Sequence, residues 1–270
     1  CFNELSTYTR TLDQAIHTNW PAYEAIGTRR NDEFIQINTS VLQIENEYYS
    51  AVRPKRTTER AEKPIQALDA RGVEYIEVRC LDLDPFSPVG VNRAQIDFLD
   101  LFLLDCLLTD SPRIGDDECQ RLDDNYKDVV ASGRWQELGV CQGGQRVPVG
   151  DAARELLDRL QPLADLLDSW GKDETYRSAL AAQREKLQGQ EWSVPSARVL
   201  ASMEASGLGH RDWVLALSQQ HQETLRSEPL APDVLADYQR MSRESLAEQD
   251  AQEQSDKLPF ATFLEEYLRS

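Results

Sequence analysis

An α+β fold is expected, with strands gathered in the first third of the chain and helices filling the rest. Three observations predict it. The stretch Val73-Glu74-Tyr75-Ile76-Glu77-Val78-Arg79-Cys80 alternates polar and apolar residues with period two, as a half-buried strand does. Val41–Tyr49 alternates in the same way. After Pro88 the apolar residues instead recur at helical spacing. Residues 1–92 are therefore assigned to a strand-rich part and 93–270 to a helical region.

In chain order, residues 1–30 read as a helix ending near Gly27, with Leu12, Ile16 and Tyr23 inward and Pro21 a place to kink or restart. Phe34–Asn38 and Val41–Tyr49 read as strands. In the second, Gln43, Glu45, Glu47 and Tyr49 share one face, and Leu42 and Ile44 take the other. It runs into three cations within four residues, Arg53, Lys55 and Arg56. Thr57 to Ala70 reads as an exposed loop carrying a short helix. On the strand 73–80, Tyr75, Glu77 and Arg79 point one way, while Ile76, Val78 and Cys80 point to the core.

Asn92 is placed to cap a helix over Arg93–Thr109 whose apolar residues lie on nearly every side, as in the centre of a helical layer. A polar, irregular stretch follows to Glu118, then a short helix near Asp123–Ser132. Gly139–Gly150 reads as a turn-rich connector; it lacks the lysine and hydroxyl residue of a phosphate loop. Asp151 is expected to cap Ala152–Trp170, where Leu156, Leu160, Leu163 and Leu167 keep helical spacing. Ser193 is expected to cap Val194–Ser206, with Gly207 as the stop, and Asp212–Ser227 makes a further helix. Ala231 to Lys257 is strongly polar, and Leu258 to Leu268 forms a short amphipathic end that docks back.

Composition narrows the function classes. Hydrophobic content of 40% and charged content of 28% are those of a globular protein. The longest apolar run, Ile96 to Leu108, is broken by Asp97, Asp100 and Asp105, so it is too short and too charged to span a bilayer. A net charge of −18 argues against general nucleic-acid or membrane-surface binding, which needs a basic face. It leaves room for a nucleotide, which needs only a local cation pocket. The five cysteines show no CxxC pairing and fit a reducing cytoplasm; the three histidines lack zinc-ligand spacing.

The chemistry is concentrated on the two polar strand faces. Glu77 and Arg79 stand about 7 Å apart along one rigid element. A carboxylate there can hold Mg²⁺ and an arginine beside it a phosphate oxygen; an ion pair on a solvated sheet face would look the same. If neighbouring strands bring Glu45 or Glu47 and the Arg53/Lys55/Arg56 cluster alongside, the pocket suits a metal–triphosphate.

Leu42-Gln43-Ile44-Glu45-Asn46-Glu47-Tyr48, Arg53-Pro54-Lys55-Arg56 and Glu74-Tyr75-Ile76-Glu77-Val78-Arg79 resemble consecutive blocks of the glutamate–cysteine ligase family, proteobacterial type. So do Leu83-Asp84-Pro85-Phe86-Ser87-Pro88-Val89-Gly90-Val91 and Ser196-Ala197-Arg198-Val199-Leu200, in the family's order. The likeness runs from Phe2-Asn3-Glu4-Leu5 to Pro259-Phe260 but covers about the C-terminal half of a family member, so residue 1, a cysteine, is expected to be an internal point of a longer polypeptide.

The resemblance implies an antiparallel, barrel-like sheet in the manner of glutamine synthetase, present here in part. It implies ATP as a substrate with Mg²⁺ or Mn²⁺, L-glutamate and L-cysteine as co-substrates, and the N-terminal half of the same polypeptide as partner. It makes Glu77 a metal ligand and Arg79 a contact of the transferred phosphate. Asn46, Glu47, Arg53, Lys55 and Arg56 are assigned to the nucleotide side, from residue type and neighbourhood more than from a matched role; Glu45 could as readily be structural. No glutamate- or cysteine-binding residue is assigned. The expected activity is the first step of glutathione biosynthesis, with this chain alone inactive. Two alternatives stay open: a helical interaction or regulatory protein that kept the likeness, and a carboxylate–amine ligase with another amine acceptor.

Overall fold

A computed structural model describes residues 3–59, 61–171, 174–188 and 193–269. They form two compact units: Cys1–Leu81 together with Pro229–Ser270, and Asp82–Glu228.

The first unit opens with α1 (Leu5–His17) and α2 (Pro21–Ile26), two helices rather than one, since Pro21 restarts the chain as a first-turn proline. Leu12 and Ile16 are buried as expected, whereas Tyr23 is exposed. β1 (Arg29–Arg30) and β2 (Glu33–Phe34) make a short antiparallel pair. The expected strand over 41–49 does not form. Glu45–Glu47 is instead a turn of 3-10 helix, because local side chains capture the backbone amides that a sheet would use. Gln43 Oε1 accepts from Ile37 N at 2.7 Å, and Glu47 Oε2 accepts from Gln43 N at 2.7 Å.

β3 (Val52–Lys55) and β4 (Tyr75–Val78) pair antiparallel, setting Arg53 opposite Glu77 and Lys55 opposite Tyr75. α3 (Pro64–Arg71) lies between them in sequence, running one residue past the stretch 57–70, and packs on α1 through Tyr8, Leu12, Ile16, Ile65 and Leu68. Cys80 lies beyond the end of β4 and is exposed, so it is not the core residue that alternation suggested. The C-terminal segment also belongs here, with Phe260 edge-on to Phe34 at 5.3 Å.

The second unit is built on α4 (Arg93–Leu108), capped as expected by Asn92, whose side chain accepts from Gln95 N at 3.0 Å. α5 (Asp116–Ser132) begins earlier than its apolar residues indicate, with three acids in its first turn. The glycine-rich connector is a hairpin of β5 (Gly139–Gln142) and β6 (Gln145–Pro148). Gly143 and Gly144, at φ +57° and +80°, supply the left-handed conformations of a two-residue turn. α6 (Val149–Gly171) and α7 (Thr175–Lys186) close on α4 around Leu101, Leu157, Leu160, Ala164 and Leu180. A bidentate pair from Arg159 to Asp105, 2.7 Å at its shortest, ties α6 to α4.

α8 (Pro195–Ser206), ended by Gly207 at φ +66°, and α9 (His210–Ser227) complete the second unit. Two of the blocks that carry the family resemblance meet there, the Arg198 guanidinium lying over the Phe86 ring at 4.3 Å. α10 (Pro232–Ser255) and α11 (Phe260–Arg269) return to the first unit, α11 burying Leu264.

The architecture is α+β and mainly helical. The strands make three separate two-stranded sheets, so no barrel-like sheet exists among the described residues. No described helix is long and apolar enough to cross a membrane.

Candidate active site

The predicted site residues converge on β3, β4 and the 3-10 turn before them. Register does most of this: antiparallel pairing puts Arg53 directly across from Glu77, within side-chain reach. The Glu77 carboxylate then sits between two further cations. Arg79 Nε lies 3.2 Å from Oε1 and Lys55 Nζ 3.5 Å from Oε2. The hydrogen bond from Arg79 is the main reason the Glu77 carboxyl is held below its ordinary range; partial burial opposes it, and Lys55 adds its charge. Glu77 is therefore an ionised carboxylate at neutral pH. Its Oε2 is buried, with the Lys55 ammonium 3.5 Å away and no short hydrogen bond to it.

On the other side of Lys55 the chain forms a cavity of about 300 Å³. Asn46, Arg53, Lys55 and Arg56 line it, with Tyr8, Thr58 and Tyr75 among the other wall residues. Arg53 is 3% exposed; its Nη2 donates to the Glu45 carbonyl at 3.3 Å, and its Nε has no partner. Burial pushes the Tyr8 phenol above its ordinary value, and the Arg53 charge offsets part of that. Arg56 leans on Glu74 at 3.8 Å. Three cations on one wall, one of them buried, form a pocket complementary to a polyanion.

Six of the seven predicted residues are thus brought together: Glu77 and Arg79 directly, and Asn46, Arg53, Lys55 and Arg56 around the cavity, with Lys55 joining the two groups. Glu47 is not. Its carboxylate is spent on the Gln43 amide as a local clasp, away from the cavity lining. Sequence reasoning missed Tyr8, which arrives from α1; Glu45, left open between a functional and a structural reading, is fully buried and does not line this cavity. No sequence signal marks Tyr8, because the first apolar turn of a helix looks the same whether or not a cavity opens beside it. Tyr49 was placed on a strand face; it is exposed and lies under the Arg79 guanidinium at 5.8 Å.

A metal needs more than one protein carboxylate or a substrate to complete its shell. Among the described residues, no three His, Cys, Asp or Glu side chains gather closely enough to hold one. The orphaned Glu77 Oε2 fits a single ligand position.

Comparison with known proteins places the chain. A family profile described as glutamate-cysteine ligase matches residues 1–129. Curated proteins named glutamate–cysteine ligase align with nearly all of it. That of Hahella chejuensis is 45% identical over 276 residues, covering 99% of this chain. That of Bordetella parapertussis is 47% identical over 268 residues, also 99% of this chain. That of Azotobacter vinelandii is 46% identical over 270 residues, or 100% of this chain. This chain spans about half the length of these relatives, 51% in each case. A crystal structure of glutamate–cysteine ligase from Francisella tularensis in complex with AMP superimposes with a TM-score of 0.89 at 30% identity, covering 100% of this chain and 53% of that one.

Proposed function

From the premise that this chain is a relative of the glutamate–cysteine ligases along its whole length and half of theirs, we propose that it is part of an ATP-dependent ligase that joins L-glutamate to L-cysteine. ATP phosphorylates the glutamate γ-carboxylate, and the cysteine amine then displaces phosphate to give γ-glutamylcysteine. The observation that carries this reading is the ionised Glu77 set between Arg79 and Lys55 beside a cavity walled by Arg53 and Arg56. A scaffold protein has no use for a half-buried carboxylate with an orphaned oxygen.

The roles follow from residue chemistry. Arg53, Lys55 and Arg56 offset nucleotide phosphate charge, with Asn46 a neutral contact on the same wall. Arg79 contacts the transferred phosphoryl group, where its planar fork matches two oxygens. Glu77 supplies one ligand to Mg²⁺ or Mn²⁺, and the bound ion would neutralise phosphate oxygens. The remaining ligands and the amino-acid pockets belong, in this proposal, to the other half of the polypeptide. The same half would add strands to β3 and β4 and complete the barrel-like sheet. Support for that comes from the apolar flank of the strand pair. Val52, Val73 and Ile76 are exposed there and line an apolar cavity of about 250 Å³ with Pro54 and Leu5.

The test is made on the natural polypeptide that contains this sequence. ADP release is followed with Mg²⁺ and ATP while glutamate and cysteine are added singly and together, and the product is weighed by mass spectrometry. ADP release that needs both amino acids, with the mass of γ-glutamylcysteine, is expected. Turnover with a different amine, or no turnover at all, would overturn the assignment.

A further inference from the structure

The same unit holds a second cavity, of about 250 Å³, that the ligase reading does not use. Its lining carries two buried charges of opposite sign. Glu45 is 0% exposed, and both carboxylate oxygens lack any hydrogen-bond partner. Lys63 is 4% exposed, and its ammonium lies over the Tyr267 ring, 5.3 Å from the centroid. The two do not pair with each other, and neither meets another ion partner among the described residues. Burying one such charge unpaired is costly, and burying two beside one cavity calls for an explanation.

We infer that this cavity is a binding site for a small zwitterion, with its ammonium group against Glu45 and its carboxylate against Lys63. A dipolar ligand satisfies both charges at once without changing the net charge of the unit. The rest of the lining is suited to it: Asn19, Ser40 and Gln43 offer neutral hydrogen-bonding groups between the two ends. The volume lies at the small end of ligand pockets and fits an amino acid of short side chain, and the two opposite charges of the lining, unlike the cations of the first cavity, suit a dipole and not a polyanion. The site also borders the first cavity through one residue. The Glu45 carbonyl accepts from Arg53 Nη2, while the Glu45 side chain faces the zwitterion.

The experiment is calorimetric titration of the natural polypeptide with glycine, and separately with methylamine and acetate, which offer only one charge each. Glycine is expected to bind at least tenfold more tightly than either fragment. Glu45→Gln and Lys63→Met are each expected to weaken glycine binding about 10- to 100-fold, the loss of one charge-assisted contact. Ser40→Leu, which fills the cavity and leaves both charges in place, is expected to abolish binding and serves if Glu45→Gln unfolds. Failure of glycine to bind, binding of methylamine as tight as glycine, or binding unchanged in the three variants would overturn the inference. Because Glu45 and Lys63 line only this cavity, weakened binding in their variants separates the site from any amino-acid pocket of the ligase reading.

Discussion

Asp168 offers the sharpest test of how the helical unit is held together. It sits in the last turn of α6, where a carboxylate is unfavourable to its own helix. Its side chain is nevertheless fully buried, because it caps the next helix. Asp168 Oδ1 accepts from Tyr176 N at 2.9 Å, and Oδ2 accepts from Arg177 N at 3.0 Å and Arg177 Nε at 3.2 Å. These two amides belong to the first turn of α7, whose own N-cap, Glu174, makes no side-chain capping hydrogen bond.

Asp168→Ala removes that cap and leaves buried amides unpaired. A lost cap costs about 0.5–2 kcal/mol, and an unsatisfied buried donor about 1–3 kcal/mol. The two costs overlap, so about 3 kcal/mol is expected. The guanidinium share is small: the Arg177 side chain is 44% exposed and can turn to water. Arg177→Met should therefore cost no more than about 1 kcal/mol, and Asp168→Asn, which keeps an acceptor but not the charge, should fall between. For a unit of this size, 3 kcal/mol corresponds to a fall in Tm of roughly 6–12 °C. Thermal unfolding followed by circular dichroism, with hydrogen exchange at the Tyr176 and Arg177 amides, reads both quantities. If Arg177→Met destabilises as much as Asp168→Ala, the capping argument is wrong and the ion pair carries the energy instead.

Other expectations follow from the same structure. Glu62 is held down to about 2, first by the two-pronged hydrogen bond from Arg71 at 2.7 and 2.8 Å. A depressed carboxylate contributes stability above its unfolded pKa and loses it as pH falls through the folded value. Stability should therefore drop between about pH 4.5 and 2 through this pair, and Glu62→Gln should flatten that part of a pH–stability curve. In the natural polypeptide, Glu77→Ala should lower turnover by about two or more orders of magnitude with the fold retained, and Arg79→Lys should also be damaging; steady-state kinetics with circular dichroism decide both. Gly144→Val should cost about 1–2 kcal/mol through its φ of +80° alone, since a side chain there meets open space. Purified residues 1–270 should show no ligase turnover, and measurable γ-glutamylcysteine from them would contradict the division of the site between two halves.

Much of this was legible in the sequence, and for identifiable reasons. The strand at 75–78 and the helix begun by Asn92 were readable because period and cap are local properties. The Arg53–Arg56 and Glu77–Arg79 groups could be named because charge on a short rigid element has few arrangements. The 41–49 segment misled because alternation describes side chains only, while the Gln43 and Glu47 side chains redirected the backbone. Glu45 was open to either a functional or a structural reading; nothing local says that a buried carboxylate will share a cavity with Lys63 and with Tyr267 from a distant helix. The hairpin at 139–148 was passed over as a connector although Gly143-Gly144 supplies its turn.

The separation of β3 from β4 in sequence gives the site a folding order. These strands are not joined by a tight turn; the intervening chain holds α3, which must itself settle on α1. Closing a long loop costs entropy that local contacts must first repay, so the pairing of Arg53 with Glu77 is expected to form late and to be lost early. Leu68, 3% exposed, packs α3 on α1 and forms an apolar part of the lining of the cation-walled cavity, and so acts as a foundation. Leu68→Ala should speed amide exchange in β3 and β4 before the helical unit loosens, and equal exchange in both units would show that the strand pair stands without it.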